Sequence, residues 1–97
     1  MVTVKLQEVV MAIKFYNFGY TKDLPKIIEI DKSGIDLAGL LDWLETEYGS
    51  NIKGMAVKSG EIAMPARIAI NGAFVFKLDT KIPDGAEVLI SNIMAGG

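Results

Sequence analysis

The stretch 36-DLAGLLDWLETEYG-49 decides how the rest of the chain has to be read. Leu37, Leu40, Leu41, Leu44 and Tyr48 follow one another at spacings of three, one, three and four, which lines them along one stripe of an α-helix. Asp36 is an N-cap candidate, since a short carboxylate can accept from the unpaired amides of the first turn. Gly49 is placed to stop the helix in a left-handed cap. Trp43 falls just off the stripe and reads as a packing residue at the core's edge rather than a ligand platform. A helix with one apolar stripe needs a second layer, so the flanking segments must supply it.

Working outward toward the N-terminus, 32-KSG-34 is a turn signal, and 26-KIIEID-31 puts Ile28 and Ile30 on one side of a strand. The segment 9-VVMAIKFYNFGYTKDLP-25 repeats its apolar residues at neither two nor 3.6, and a prolonged strand, a short helix and an apolar loop all fit it. In 2-VTVKLQ-7, Val2, Val4 and Leu6 alternate with Thr3, Lys5 and Gln7, the pattern of a half-buried first strand.

Toward the C-terminus, 50-SNIKGMAVKSGEIAMP-65 reads as an irregular connection with room for one short helical turn. Then come a strand at 66-ARIAIN-71, a tight turn at Asn71-Gly72, and 73-AFVFKLD-79 as the partner strand or a bent continuation. A turn at 83-PDG-85 and a strand at 87-EVLIS-91 complete the order. Five strands and one main helix predict an α+β domain over residues 1–91 whose mixed five-stranded sheet packs on the helix, with the last strand beside the first. That is the β-grasp, or ubiquitin-like, arrangement. Residues 92–97 are expected to leave it as a flexible tail ending in Gly96 and Gly97, a pair that chance would place there in only about one chain in 200.

Composition removes several functions. Among 97 residues there is neither cysteine nor histidine, which takes away the thiol nucleophile, the disulfide framework and the commonest general base and metal ligand. The neighbouring acids Asp42, Glu45 and Glu47 read as the solvated face of the helix. The glycines match neither a dinucleotide fingerprint nor a phosphate loop. A net charge of -2, with lysines scattered singly, argues against a nucleic-acid partner. No apolar run reaches the roughly 20 residues that span a bilayer, and the alternating N-terminus lacks a signal-peptide core, so the expectation is a cytoplasmic protein with no membrane partner. The chain reads as a substrate or partner of enzymes rather than as a catalyst.

The stretch 70-INGAFVFKLDTKIPDGAEVLISNIMAGG-97 resembles the C-terminal half of the MoaD/ThiS sulfur-carrier proteins: an Asn-Gly turn, an acidic residue, an Asp-Gly turn, a Glu-Val strand and a terminal Gly-Gly, in that order. The helix 36–49 is also similar to theirs. The chain departs from many molybdopterin-synthase small subunits in carrying Ser91-Asn92-Ile93-Met94-Ala95 where they have a proline pair, and in Ala86 where an acid is common. Its ending is similar to the eukaryotic ubiquitin-related modifier as well.

The resemblance implies that Gly97 is the reactive group. An α-carboxylate, with a pKa of roughly 3.5, is an anion and a poor electrophile at neutral pH. In the family an ATP-using adenylating enzyme of the ubiquitin-activating kind converts it into an acyl-adenylate, and a sulfur donor then displaces AMP to leave a thiocarboxylate. The carrier itself holds no cofactor. The favoured acceptor is a molybdopterin-synthase large subunit. Thiazole synthesis, tRNA thiolation and attachment to protein lysines are the alternatives, and a β-grasp interaction module with incidental glycines belongs to another class. Gly96 and Gly97, lacking Cβ, suit a tail that threads into narrow active sites. If Val88 and Ile90 face the helix, Leu89 and Ile93 lie on the opposite face. They then form either an apolar patch toward the tail or a surface covered by 9–25 or 50–65. Leu89, Ile93, Met94 and Ala95 are the candidate partner-interface residues.

Overall fold

The computed structural model describes residues 12–92. The alternating segment 2–7 and the tail residues Ile93, Met94, Ala95, Gly96 and Gly97 lie outside the described residues. In chain order the elements are strands β1 (Ile13–Phe18) and β2 (Ile27–Ile30), helices α1 (Leu37–Tyr48) and α2 (Ile52–Ala56), and strands β3 (Val57–Lys58), β4 (Glu61–Ile62), β5 (Ala66–Ile70), β6 (Ala73–Val75) and β7 (Glu87–Asn92).

Helix α1 forms for the reasons its sequence gives. Asp36 Oδ1 accepts from the Gly39 amide at 2.8 Å, and Gly49, at φ 67°, donates its own amide to the Glu45 carbonyl. Leu37, Leu40, Leu41 and Leu44 are fully buried. Tyr48, placed on the same stripe by its spacing, is exposed instead: the last turn has run past the buried stripe, and the ring meets Trp43 edge-on at 6.2 Å. Trp43 itself packs partly buried against the core, as its position off the stripe predicts.

The leucine stripe packs with a five-stranded mixed sheet of order β2-β1-β7-β5-β6. At its centre β1 and β7 run parallel, and the outer pairings are antiparallel. Ile13 and Phe15, Ile28 and Ile30, Ile68 and Ile70, and Val88 and Ile90 form the buried side. With the leucines they make one continuous core.

Two stretches that the sequence leaves open are decided by the pairing. A strand beside the last one is β1, which lies within the segment 9–25 whose periodicity decides nothing. Its alternation is concealed because the inward position 17 is polar while the outward positions 16 and 18 are aromatic. Asn17 is only 4% exposed, and its carboxamide is fully used: Nδ2 donates to the Thr21 and Leu24 carbonyls at 2.7 and 3.0 Å, and Oδ1 accepts from the Tyr20 and Thr21 amides at 2.9 and 3.4 Å. That side chain folds the β1–β2 connection over the end of the core. The stretch 73–79, by its sequence a partner strand or a bent continuation, pairs with β5 only to Val75. Beyond it the chain turns so that Phe76 O accepts from Ile62 and Leu78 O from Ala38. The connection 50–65 contains α2 and the two-residue pairing of β3 with β4.

Candidate functional site

The tail expected at residue 92 leaves from β7, a strand with neighbours on both sides that remains paired through Asn92, opposite Ala66. Val88 and Ile90 point to the core and are fully buried, so Leu89 and Ser91 belong to the other, helix-free face.

Register defines that face. Leu89 lies opposite Tyr16 on β1 and opposite Ala69 on β5, Tyr16 lies opposite Ile27, and Ala69 opposite Phe74. One residue from each of the five strands thus makes an unbroken apolar row: Ile27, Tyr16, Leu89, Ala69, Phe74. Its two ends are 59% exposed, Leu89 and Tyr16 are half-buried, and Ala69 is buried. One step toward the start of β7, Lys14 lies opposite Glu29 and Glu87, an exposed charged row. One step toward the chain's exit, Ser91 sits between Phe18 and Arg67. Phe18 is 61% exposed and packs on Tyr16 at 6.2 Å between ring centroids.

The open face therefore changes from a charged row to an apolar row to the mixed row of Phe18, Ser91 and Arg67 along the direction in which β7 leaves the sheet. Of the candidate interface residues, the structure places Leu89 at the middle of the apolar row. Tyr16, Ile27 and Phe74 share that row without being legible from the sequence, because only the pairing register brings four distant segments level. Within the segment 9–25, one of the two expected as a cover for Leu89, residues 13–18 form β1 and flank it.

Turn geometry fixes the register. Asn71 and Gly72 both have positive φ, 50° and 85°, which is the two-residue turn that suits a right-twisted hairpin. Asn71 also clips this turn to the start of β7: its amide donates to the Glu87 carbonyl at 2.8 Å, and its Oδ1 accepts from the Glu87 amide at 2.9 Å. On β7's other side, Lys14 donates its amide to the Ala86 carbonyl at 3.0 Å.

Among the described residues no three acidic, histidine or cysteine side chains converge as a metal site would require. No helix among them is long and apolar enough to cross a membrane. The acids of α1 have a structural use beyond solvation. Asp42 Oδ1 accepts from Lys53 Nζ at 2.7 Å, and Glu45 Oε2 accepts from the Lys53 amide at 2.8 Å, so the two carboxylates fasten the short helix α2 to α1. The Asp42 hydrogen bond holds the Lys53 pKa above its ordinary value. Glu47 takes no part and is exposed.

Comparison with known proteins fits this geometry. The fold is similar to the crystal structure of SAMP1 from Haloferax volcanii, with a TM-score of 0.66 at 15% identity over 89% of this chain and 99% of that one. It is equally similar to the solution structure of the Haloferax volcanii HVO 2177 protein, with a TM-score of 0.65 at 22% identity over 98% of this chain and 94% of that one. Both likenesses show the ubiquitin-like β-grasp fold. A comparison with curated proteins finds no match. The sequence model of the ThiS family matches residues 17–97, from Asn17 on β1 through the apolar row to the terminal Gly-Gly, and the chain belongs to that family.

Proposed function

We propose that this chain is a ubiquitin-like sulfur carrier whose Gly97 carboxylate is adenylated by an ATP-using activating enzyme, converted to a thiocarboxylate, and used to supply sulfur for molybdopterin assembly. The observation that carries this reading is the family match running through Gly97 in a chain whose last strand leaves from the middle of an apolar open face. The atoms balance simply. The carboxylate attacks the α-phosphorus of ATP and releases pyrophosphate. A hydrosulfide then adds to the acyl carbon, AMP departs with the carbon–oxygen bond, and a proton is lost to leave the ionised thioacid. The carrier contributes the reacting carbonyl and a docking surface, and the catalytic groups belong to its partners.

Magnitudes decide what the docking surface must do. Ordering the five residues 93–97 in a partner's active site costs on the order of 5–10 kcal/mol, because each fixed backbone costs about 1–2. Two glycines lower the steric width of the tail and raise that entropic cost. The tail alone therefore gives weak binding, and the globular face has to supply the surplus. The row of Ile27, Tyr16, Leu89 and Phe74 is the surface assigned to that task, with Ile93, Met94 and Ala95 proposed as further partner contacts.

The acceptor is open to a second choice, since the same activation serves thiazole synthesis, and the matched family model carries the ThiS name. The test of activation is ATP–pyrophosphate exchange with a purified activating enzyme. Wild type is expected to support exchange. Gly97→Ala, or one residue added after Gly97, is expected to abolish it with an unchanged melting temperature. Undiminished exchange in both variants would leave an interaction module with incidental glycines. Sulfur transfer from the thiocarboxylate form to a molybdopterin-synthase large subunit or to a thiazole synthase then identifies the acceptor.

A further inference from the structure

We propose that Arg67, with Phe74 and Phe76 beside it, is a receptor for a carboxylate side chain presented by the activating enzyme, and that it sets how tightly that enzyme docks. The proposal rests on the carrier reading above and assigns the chemistry of one partner contact within it.

Arg67 lies on the open side of β5, level with Ser91 on β7 and hence at the end of the face nearest the chain's exit. Its guanidinium carbon is 5.5 Å from the ring centroid of Phe74 and 5.5 Å from that of Phe76. Two aromatic faces attract a planar cation and restrict its side chain in advance of binding.

No acid among the described residues answers the cation so held. Among the described residues the single ion pair is Lys53–Asp42, between the two helices. The one polar contact of the guanidinium is Nη2 donating to the Met64 thioether sulfur at 3.1 Å, a weak acceptor in an exposed setting. Nε is buried and has no acceptor among the described residues. A carboxylate approaching end-on can take the outer nitrogens and displace the thioether, forming the charge-assisted bonds that arginine makes best.

The surroundings distinguish the occupant. Met64 is 60% exposed, Phe74 59% and Phe76 44%, so the guanidinium sits in an apolar rim. A small free anion would satisfy the charge and leave that rim in water. An acidic side chain on a protein surface, flanked by apolar residues, satisfies both. Because Phe74 also ends the apolar row that runs through Leu89, the receptor and the row form one continuous surface.

The test is the dependence of ATP–pyrophosphate exchange on carrier concentration, with the activating enzyme and full-length carrier variants. Arg67→Gln is expected to raise the half-saturating concentration about ten- to a hundred-fold, the usual consequence of removing one partner from a hydrogen-bonded charge pair, and to leave the maximal rate unchanged. Arg67→Lys keeps the charge without the fork and recovers only part of that loss. Arg67→Met keeps the unbranched stem against the rings and so separates the missing charge from altered packing, and melting temperatures show that all three remain folded. Raising the ionic strength weakens half-saturation more for wild type than for Arg67→Met. Unchanged half-saturation in Arg67→Gln and Arg67→Met would overturn the proposal, even if later sulfur delivery were affected. Absence of exchange with wild type would instead remove the carrier reading beneath it.

Discussion

Along β7, Val88 and Ile90 are sealed into the core while Leu89 and Ser91, between and after them, belong to the helix-free face; along β1, Phe15 is sealed and Tyr16 is not. Charged residues such as Lys14, Glu29, Glu87 and Arg67 flank the open face, but its central row is built of the same apolar residue types as the core. What differs is the covering layer. The leucines of α1 complete one face and give it the density of a core, whereas no helix among the described residues covers the other. Stability therefore resides in one set of alternate residues, and the set between them is the one proposed for partner contact. Surface evolution on the open side can then proceed without dismantling the fold.

That division can be broken most severely on the buried side. Phe15→Ala removes a fully buried ring at the centre of the sheet and is expected to lower stability by about 3–5 kcal/mol, measured by urea denaturation. Asn17→Ala comes next. It leaves the Thr21 and Leu24 carbonyls and the Tyr20 amide without their shared partner, and about 2–3 kcal/mol is expected in the same assay, with faster amide exchange confined to residues 19–26. The contrast is sharpened by Leu89→Ala, for which the expected loss of stability is below about 1 kcal/mol while carrier half-saturation in the exchange assay rises severalfold. A large stability loss at Leu89, or no effect on half-saturation, would mean that the faces are not divided in this way.

The smallest expected effect involves Tyr20, which closes the end of the core beneath the Asn17 loop. Burial raises its pKa above the usual 10.0. In the folded protein the phenol therefore keeps its proton where the unfolded chain has lost it. The stabilisation is fully present below pH 10 and declines as pH rises from there through the folded value. Tyr20→Phe is expected to flatten that alkaline decline in a series of melting curves.

Local chemistry made much of this legible in the sequence. The Asp36 cap, the leucine stripe, the Gly49 stop and the Asn71-Gly72 turn each depend on residues within a few positions, and each forms as its residues dictate. The strands at Ile27–Ile30, Ala66–Ile70 and Glu87–Asn92 show their alternation openly because their inward residues are uniformly apolar. Strand β1 does not, since a core-facing asparagine and two outward aromatics invert the expected contrast. The proposed docking face is half legible. Alternation within 87–91 put Leu89 outside, but the row it belongs to joins residues 16, 27, 69 and 74, and only strand pairing at a defined register can align them. Arg67 gave no signal, because an isolated arginine between apolar residues looks like any solvated strand position until its aromatic neighbours are placed.

The most direct test of the central claim is the intact mass of the full-length chain after incubation with ATP, sulfide and its activating enzyme. The carrier account predicts that one C-terminal oxygen is replaced by sulfur, that the change maps to Gly97 in the C-terminal peptide, and that it requires ATP. A carboxylate left untouched, under conditions that convert another carrier of the family, would contradict it.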